Sequence, residues 1–123
     1  MEEIKCNLQF FRVTKIDVEV DPFPDGQEFS LVCNGELNCR EPVESDNLTG
    51  LLELKIDIQS DNKKDCRIRV SSTSIFSFDR KPTDFNKTMQ DQCYPIARDR
   101  VYQFIKVLTT NMGMAPLDLS KSE

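Results

Sequence analysis

Residues 93 to 119 read CYPIARDRVYQFIKVLTTNMGMAPLDL, and this stretch decides how the rest of the chain must fold. Tyr94, Ala97, Val101, Phe104, Ile105, Leu108 and Met112 recur at steps of three and four, the spacing that lines up one stripe of an α-helix. Arg98, Asp99, Arg100, Gln103 and Lys106 fall on the remaining surface. Pro95 suits a first helical turn, where its missing N–H costs nothing. Gly113 suits the left-handed residue just past the end, and Pro116 blocks resumption. About eighteen residues rising about 1.5 Å each make a rod of roughly 27 Å. Burying its stripe contributes on the order of 10–15 kcal/mol gross, less than ordering the segment costs. The rod therefore needs an apolar sheet, or a second copy of itself, to lie against.

The upstream chain supplies strands. Residues 4 to 20, IKCNLQFFRVTKIDVEV, alternate apolar and polar but change phase. Ile4, Cys6, Leu8 and Phe10 share one parity, Phe11 and Val13 take the other, and Ile16, Val18 and Val20 return to the first. Laid flat, this strand would run about 55 Å at about 3.3 Å per residue. The phase changes suggest bulges that bend it, or cover on both faces at different points. DPFPDG at 21 to 26 is a turn.

Residues 28 to 40 give a second strand, with Phe29, Leu31, Cys33, Leu37 and Cys39 on one side. Gly35 interrupts that series and suggests a bulge or a close backbone approach. After a polar loop over 41 to 49, Leu52, Leu54, Ile56 and Ile58 mark a third strand. After SDNKK at 60 to 64, Cys66, Ile68, Val70, Phe76 and Phe78 mark a fourth. Within it SSTS at 71 to 74 is small and polar on both faces, which fits a core strand only where something packs closely. Residues 80 to 92 form a polar connector with Pro82, Phe85 and Met89 and room for one short helical turn.

Four antiparallel strands followed by a helix make a single α+β domain over 1 to 123, with the helix stripe on one sheet face. Phe11, Val13, Val32 and Ile75 break the alternation toward the other face, and the connector adds Phe85 and Met89. One sheet and one helix leave such residues wet. They imply either a second subunit or a binding surface.

Composition narrows the function. A length of 123 residues suits one domain. Hydrophobic content of 38% and charged content of 30% exclude a membrane protein and a typical disordered chain. No apolar run approaches a membrane span, and the acidic start MEEIKC is unlike a signal peptide, so a cytoplasmic protein without membrane insertion is expected. A net charge of −5 disfavours a nucleic-acid partner.

The five cysteines, widely spaced, are expected to be free thiols buried as small hydrophobes. There is no histidine, so a nucleophile–base pair built on imidazole is excluded, and zinc would have only scattered thiolates and carboxylates. The four glycines are isolated and form no phosphate-binding loop. Asp17 with Glu19, and Glu53 with Asp57, share strand faces and read as solvated rather than as an acid–base pair. No cofactor, no metal and no enzymatic activity are expected.

Taken in order, several stretches resemble the SecB-like chaperone family. LQFFRVTKIDVEVDP at 8 to 22 is similar to the family's first strand, with its acidic end and proline. SIFSF at 74 to 78 closes the fourth strand much as the family does. YPIARDRVYQFI at 94 to 105 resembles the family's helix start, and APLDL at 115 to 119 the Pro-x-Leu stretch that follows the helix. The resemblance implies a four-stranded antiparallel Greek-key sheet with one long C-terminal helix, assembled as a homodimer or homotetramer. It also implies an ATP-independent chaperone that holds unfolded, export-bound polypeptides in apolar grooves and passes them to the translocase motor SecA. The chain stops at Glu123, four residues past Leu119, where longer members continue into a second helix and a tail. Shortened members serve toxin–antitoxin systems, so the alternative is a dedicated adaptor recognising one antitoxin.

Phe11, Val32, Ile75, Phe76, Phe85, Met89, Met112 and Met114 are the expected client-binding residues, because one small domain cannot cover them all. Methionine, unbranched and polarizable, accepts varied client side chains. By the resemblance, Asp17 and Asp21 match the acidic positions that face SecA. Tyr94, Val101, Phe104 and Leu108 are expected at the oligomer interface.

Overall fold

The computed structural model describes residues 4–20, 31–41, 48–60, 66–113 and Leu119. Four strands, β1 (Cys6–Val20), β2 (Leu31–Arg40), β3 (Thr49–Ser60) and β4 (Cys66–Phe78), form one antiparallel sheet in the order β1-β4-β3-β2. Successive strands β2, β3 and β4 are neighbours, and β1 returns beside β4, which is the Greek-key order. The expected turn at 21 to 26, residues 28 to 30, and the sites at Asp21 and Met114 lie outside the described residues.

The phase changes in β1 are bulges. Its register against β4 shifts between Leu8 and Phe10 and again between Val13 and Lys15. Each extra residue turns every later side chain to the other face. Leu8 stands opposite Phe76, Phe11 opposite Ser74, and Val18 opposite Ile68, so three apolar groups of differing parity share one face. The two inserted residues bond to β4: Gln9 Nε2 donates to Ser77 Oγ at 2.8 Å, and Thr14 Oγ1 donates to the Ser71 carbonyl at 3.3 Å. Phe11 and Val13 therefore face the core side, not the opposite side expected for them, and Phe10 takes the outward position. β2 pairs with β3 through Gly35 without a register shift, so that glycine marks no bulge.

One face of the sheet carries a helical layer. Leu52, Leu54, Ile56, Ile58, Cys66, Ile68, Val70, Phe76 and Phe78 are buried beneath it. Ser72 and Ser74 are buried too, the small side chains on this stretch of β4, and Ser72 Oγ donates to the Leu54 carbonyl at 3.4 Å. The connector begins with α1 (Phe85–Thr88), capped by Asp84, whose Oδ1 accepts from the Lys87 N–H at 3.2 Å. A π-helical turn (Met89–Cys93) links it to α2 (Tyr94–Asn111). The Tyr94 N–H donates to the Met89 carbonyl, one residue further back than in an α-helix. That wide turn falls just before Pro95, whose ring crowds the carbonyl four residues earlier in a regular helix.

α2 packs on β3, β4 and β1 through Ala97, Val101, Ile105 and Thr109, all fully buried. Thr109 belongs to the stripe although it is polar. Its hydroxyl donates back to the Ile105 carbonyl at 2.9 Å, which satisfies it inside the core. Gly113 follows the helix at φ 82°, the left-handed position expected of it.

Candidate functional site

Among the described residues, no helix lies on the opposite sheet face. Its rows follow from the registers. Phe10, Ile75, Leu51 and Arg40 stand side by side across β1, β4, β3 and β2. Three of the four are apolar, and Ile75, Leu51 and Arg40 line a hollow of about 280 Å³ together with Glu41, Thr49 and Gly50. Phe10 is 38% exposed, and the Arg12 guanidinium sits over its ring, 5.0 Å from the centroid. Arg40 Nε pairs with Glu53 Oε1 at 3.2 Å. Arginines thus border the apolar row at two of its corners.

Farther along the same face the rows turn polar. Asp17 stands opposite Arg69, and Arg69 Nε pairs with Asp57 Oδ2 at 3.3 Å. Gln59 Nε2 donates to the same carboxylate at 3.2 Å and 3.3 Å. Small Ser71 leaves a hollow of about 380 Å³ between Lys15, Lys55 and Arg69. At the far corner Val32, opposite Gln59, is 51% exposed. This face can hold an extended chain that is apolar at one end and charged at the other.

The helical layer leaves apolar surface at its margins. On β1, Ile16 faces the core side yet is 47% exposed, and Phe11 and Val13 are half-buried. On β2, Cys33 is exposed, against the expectation of a buried thiol, while Leu37 and Cys39 are half-buried. Along α2, Ile96 and Val107 are exposed, and Phe104 and Leu108 half-buried. On another flank Arg98 lies between Tyr94 and Tyr102, its guanidinium 5.6 Å and 5.9 Å from the two ring centroids. The sequence pattern places Arg98 on open surface; the two tyrosine rings hold it half-buried.

The candidate residues separate on these grounds. Val32 and Ile75 lie on the uncovered face, and Phe11 and Met112 are half-buried at the margins of the helical layer. Phe85 is half-buried edge-on against Phe78, with ring centroids 6.4 Å apart. Phe76 and Met89 are fully buried, so neither offers a surface to a client. Val101 is likewise core, spent on the sheet rather than on a second subunit. Tyr94, Phe104 and Leu108 retain partial exposure, and Asp17 is exposed beside Arg69.

Phe10, Leu51, Ile16, Ile96 and Val107 escaped the sequence reading. Phe10 and Ile16 depend on where the bulges of β1 fall and how far the helical layer reaches, whereas Leu51 follows from its alternation with Leu52 and Leu54 on an unbulged strand. Ile96 and Val107 sit off the stripe and had a visible signal, since neither suits a solvated helix face. Among the described residues, no group of three or more His, Cys, Asp or Glu is placed to hold a metal ion. No described helix is long and apolar enough to cross a membrane.

At the level of sequence, no family model and no curated protein matches the chain. Among solved structures, it is similar to the Mycobacterium tuberculosis Rv1957 SecB-like chaperone, solved in complex with a ChAD peptide from the Rv1956 HigA1 antitoxin. The TM-score is 0.73 at 9% identity, over 93% of this chain and 85% of that one. A likeness of that degree over nearly the whole length shows the fold: the chain has the SecB-like fold.

Proposed function

We propose that this protein is an ATP-independent chaperone that holds extended, unfolded or export-bound polypeptide on its uncovered apolar surface. The observation that carries the reading is the row Phe10–Ile75–Leu51, which no described helix covers, on a fold whose solved neighbour has a peptide bound. Side chains stacked beside one another on adjacent strands give a client a continuous apolar strip, bordered by arginines that suit acidic groups on it. Val32 extends the surface at the far corner, and Phe11, Phe85 and Met112 supply further apolar contact at the margins. The proposed place of work is the cytoplasm.

A homodimer or homotetramer is part of this proposal. Phe104 and Leu108, joined by the exposed Ile96 and Val107, give α2 an outer apolar flank that a second copy would cover, and Tyr94 is the proposed contact on its other flank. Asp17 is the proposed contact for a SecA-like partner, although Arg69 beside it offsets part of its charge.

The second reading is a dedicated adaptor for one protein, such as an antitoxin. The antitoxin peptide on the neighbouring structure favours it. Light scattering of a slowly refolding client, followed with and without the protein, tests the first reading. Suppression of aggregation near one client per oligomer, without nucleotide, supports general chaperoning. Absence of suppression and of binding to any unfolded client overturns it. Tight binding confined to one antitoxin encoded beside this protein selects the adaptor.

A further inference from the structure

Lys15 of β1, Ser71 of β4 and Lys55 of β3 stand side by side across the uncovered face, two rows along β4 from Ile75. Neighbouring strands lie about 4.8 Å apart, so the two lysine stems rise about 10 Å apart with a serine between them. Both lysines are exposed, and Ser71 is half-buried at the floor. Each flexible four-carbon stem can swing its ammonium over Ser71. The hollow of about 380 Å³ there has room for a side chain from outside the sheet.

The charge of these lysines is not used up within the sheet. Glu53 and Asp57 flank Lys55 on β3, but Glu53 pairs with Arg40 and Asp57 with Arg69. Gln59 also donates to the Asp57 carboxylate. Glu36 stands opposite Lys55, and Asp17 lines the hollow beside Lys15. Among the described residues, neither lysine makes an ion pair with any of these carboxylates. Two ammonium groups and a serine hydroxyl, all donors, are left facing one space.

Resting on the reading that extended polypeptide lies on this face, we propose that the Lys15–Ser71–Lys55 hollow takes the carboxylate of an aspartate or glutamate in that polypeptide. The sheet fixes where in the client that residue stands. Ser71 is four residues from Ile75 on β4, about 13 Å at about 3.3 Å per residue. A client strand running along β4 has the same rise, and its side chains at i and i+4 point to the same side. An apolar side chain on the row Phe10–Ile75–Leu51 thus brings the one four residues away over Ser71. The side chain between them, at i+2, meets the row Arg12–Thr73–Glu53, whose opposite charges suit a polar group. The surface accordingly selects segments with an apolar and an acidic residue four apart, rather than apolar segments in general.

The test is fluorescence anisotropy with three short labelled peptides. One carries leucine and glutamate four residues apart, and the second has glutamine in place of that glutamate. The third has the glutamate moved by one residue, onto the opposite side of an extended chain. The first should bind about three- to tenfold more tightly than either of the others, an advantage that added salt weakens. In protein carrying Lys15→Gln and Lys55→Gln, shown to be folded by circular dichroism, the ratio between the first two peptides should fall to about one. Equal binding of the first two peptides by the wild type, equal binding of the first and third, or a glutamate advantage kept by the double variant overturns the proposal. If a permanently unfolded polypeptide still binds in any of those cases, only the acidic site is lost. If neither it nor any peptide binds, the reading beneath the proposal falls with it.

Discussion

Phe10 of β1 stands opposite Ile75 on the uncovered face, whereas Leu8, two residues earlier, stands opposite Phe76 in the core. The bulge at Gln9 makes that difference. It predicts opposite outcomes for two phenylalanines. Phe76→Ala should cost about 3–5 kcal/mol, since it empties a closed core site, and Phe10→Ala under about 1 kcal/mol, since it removes a partly exposed ring and its arginine contact. Urea denaturation checks both. Similar costs for the two would mean that the register is wrong.

Gly50 gives a second test. A Cβ there would come within 2.8 Å of the Met89 sulfur, 3.0 Å of Phe85 and 3.1 Å of Phe78. Three side chains on three elements would have to give at once, so Gly50→Ala should destabilise by about 1–3 kcal/mol. A thermal melt should show a clear fall in Tm. A neutral result would show that the connector helix does not pack on β3 as described.

Stability should fall in alkali. Burial raises the thiols of Cys93, Cys6 and Cys39, Cys93 most. The folded chain keeps these protons to higher pH than the unfolded chain, whose thiols ionise near about 8.5. Their contribution is therefore complete below that pH and is lost as pH rises toward the folded values. The slope is up to about 1.4 kcal/mol per pH unit for each thiol involved. Denaturation midpoints from pH 8 to pH 10 should decline, and Cys93→Ala should flatten the decline. A flat wild-type profile contradicts this.

Much of the fold was legible in the sequence because periodicity reports burial directly. Leu52 to Ile58 and Cys66 to Val70 alternate cleanly, and α2 ends within a residue of where its stripe and Gly113 place the end. Even the bulges in β1 left a trace as phase changes. The face that each phase points to was not legible, because a single inserted residue exchanges Phe10 for Phe11 and a phase change does not say which run faces the core. The same limit explains Phe76 and Met89. Their apolarity was plain, but whether one domain closes over them depends on how closely the connector and α2 approach the sheet. Thr109 hid for another reason: its hydroxyl is satisfied by its own helix, so a polar letter stands at a core position.

The central claim is that the uncovered strip bearing Phe10, Ile75 and Leu51 holds unfolded polypeptide. Ile75→Asp places a charge in the middle of that strip on a half-exposed strand position, where the fold should survive. The most direct measurement is fluorescence anisotropy of a labelled, permanently unfolded polypeptide titrated with wild-type and Ile75→Asp protein, with circular dichroism confirming that both are folded. The account predicts saturable, nucleotide-independent binding by the wild type and at least tenfold weaker binding by the variant, about 1.4 kcal/mol or more. Equal binding by both folded proteins, or none by the wild type, would contradict it.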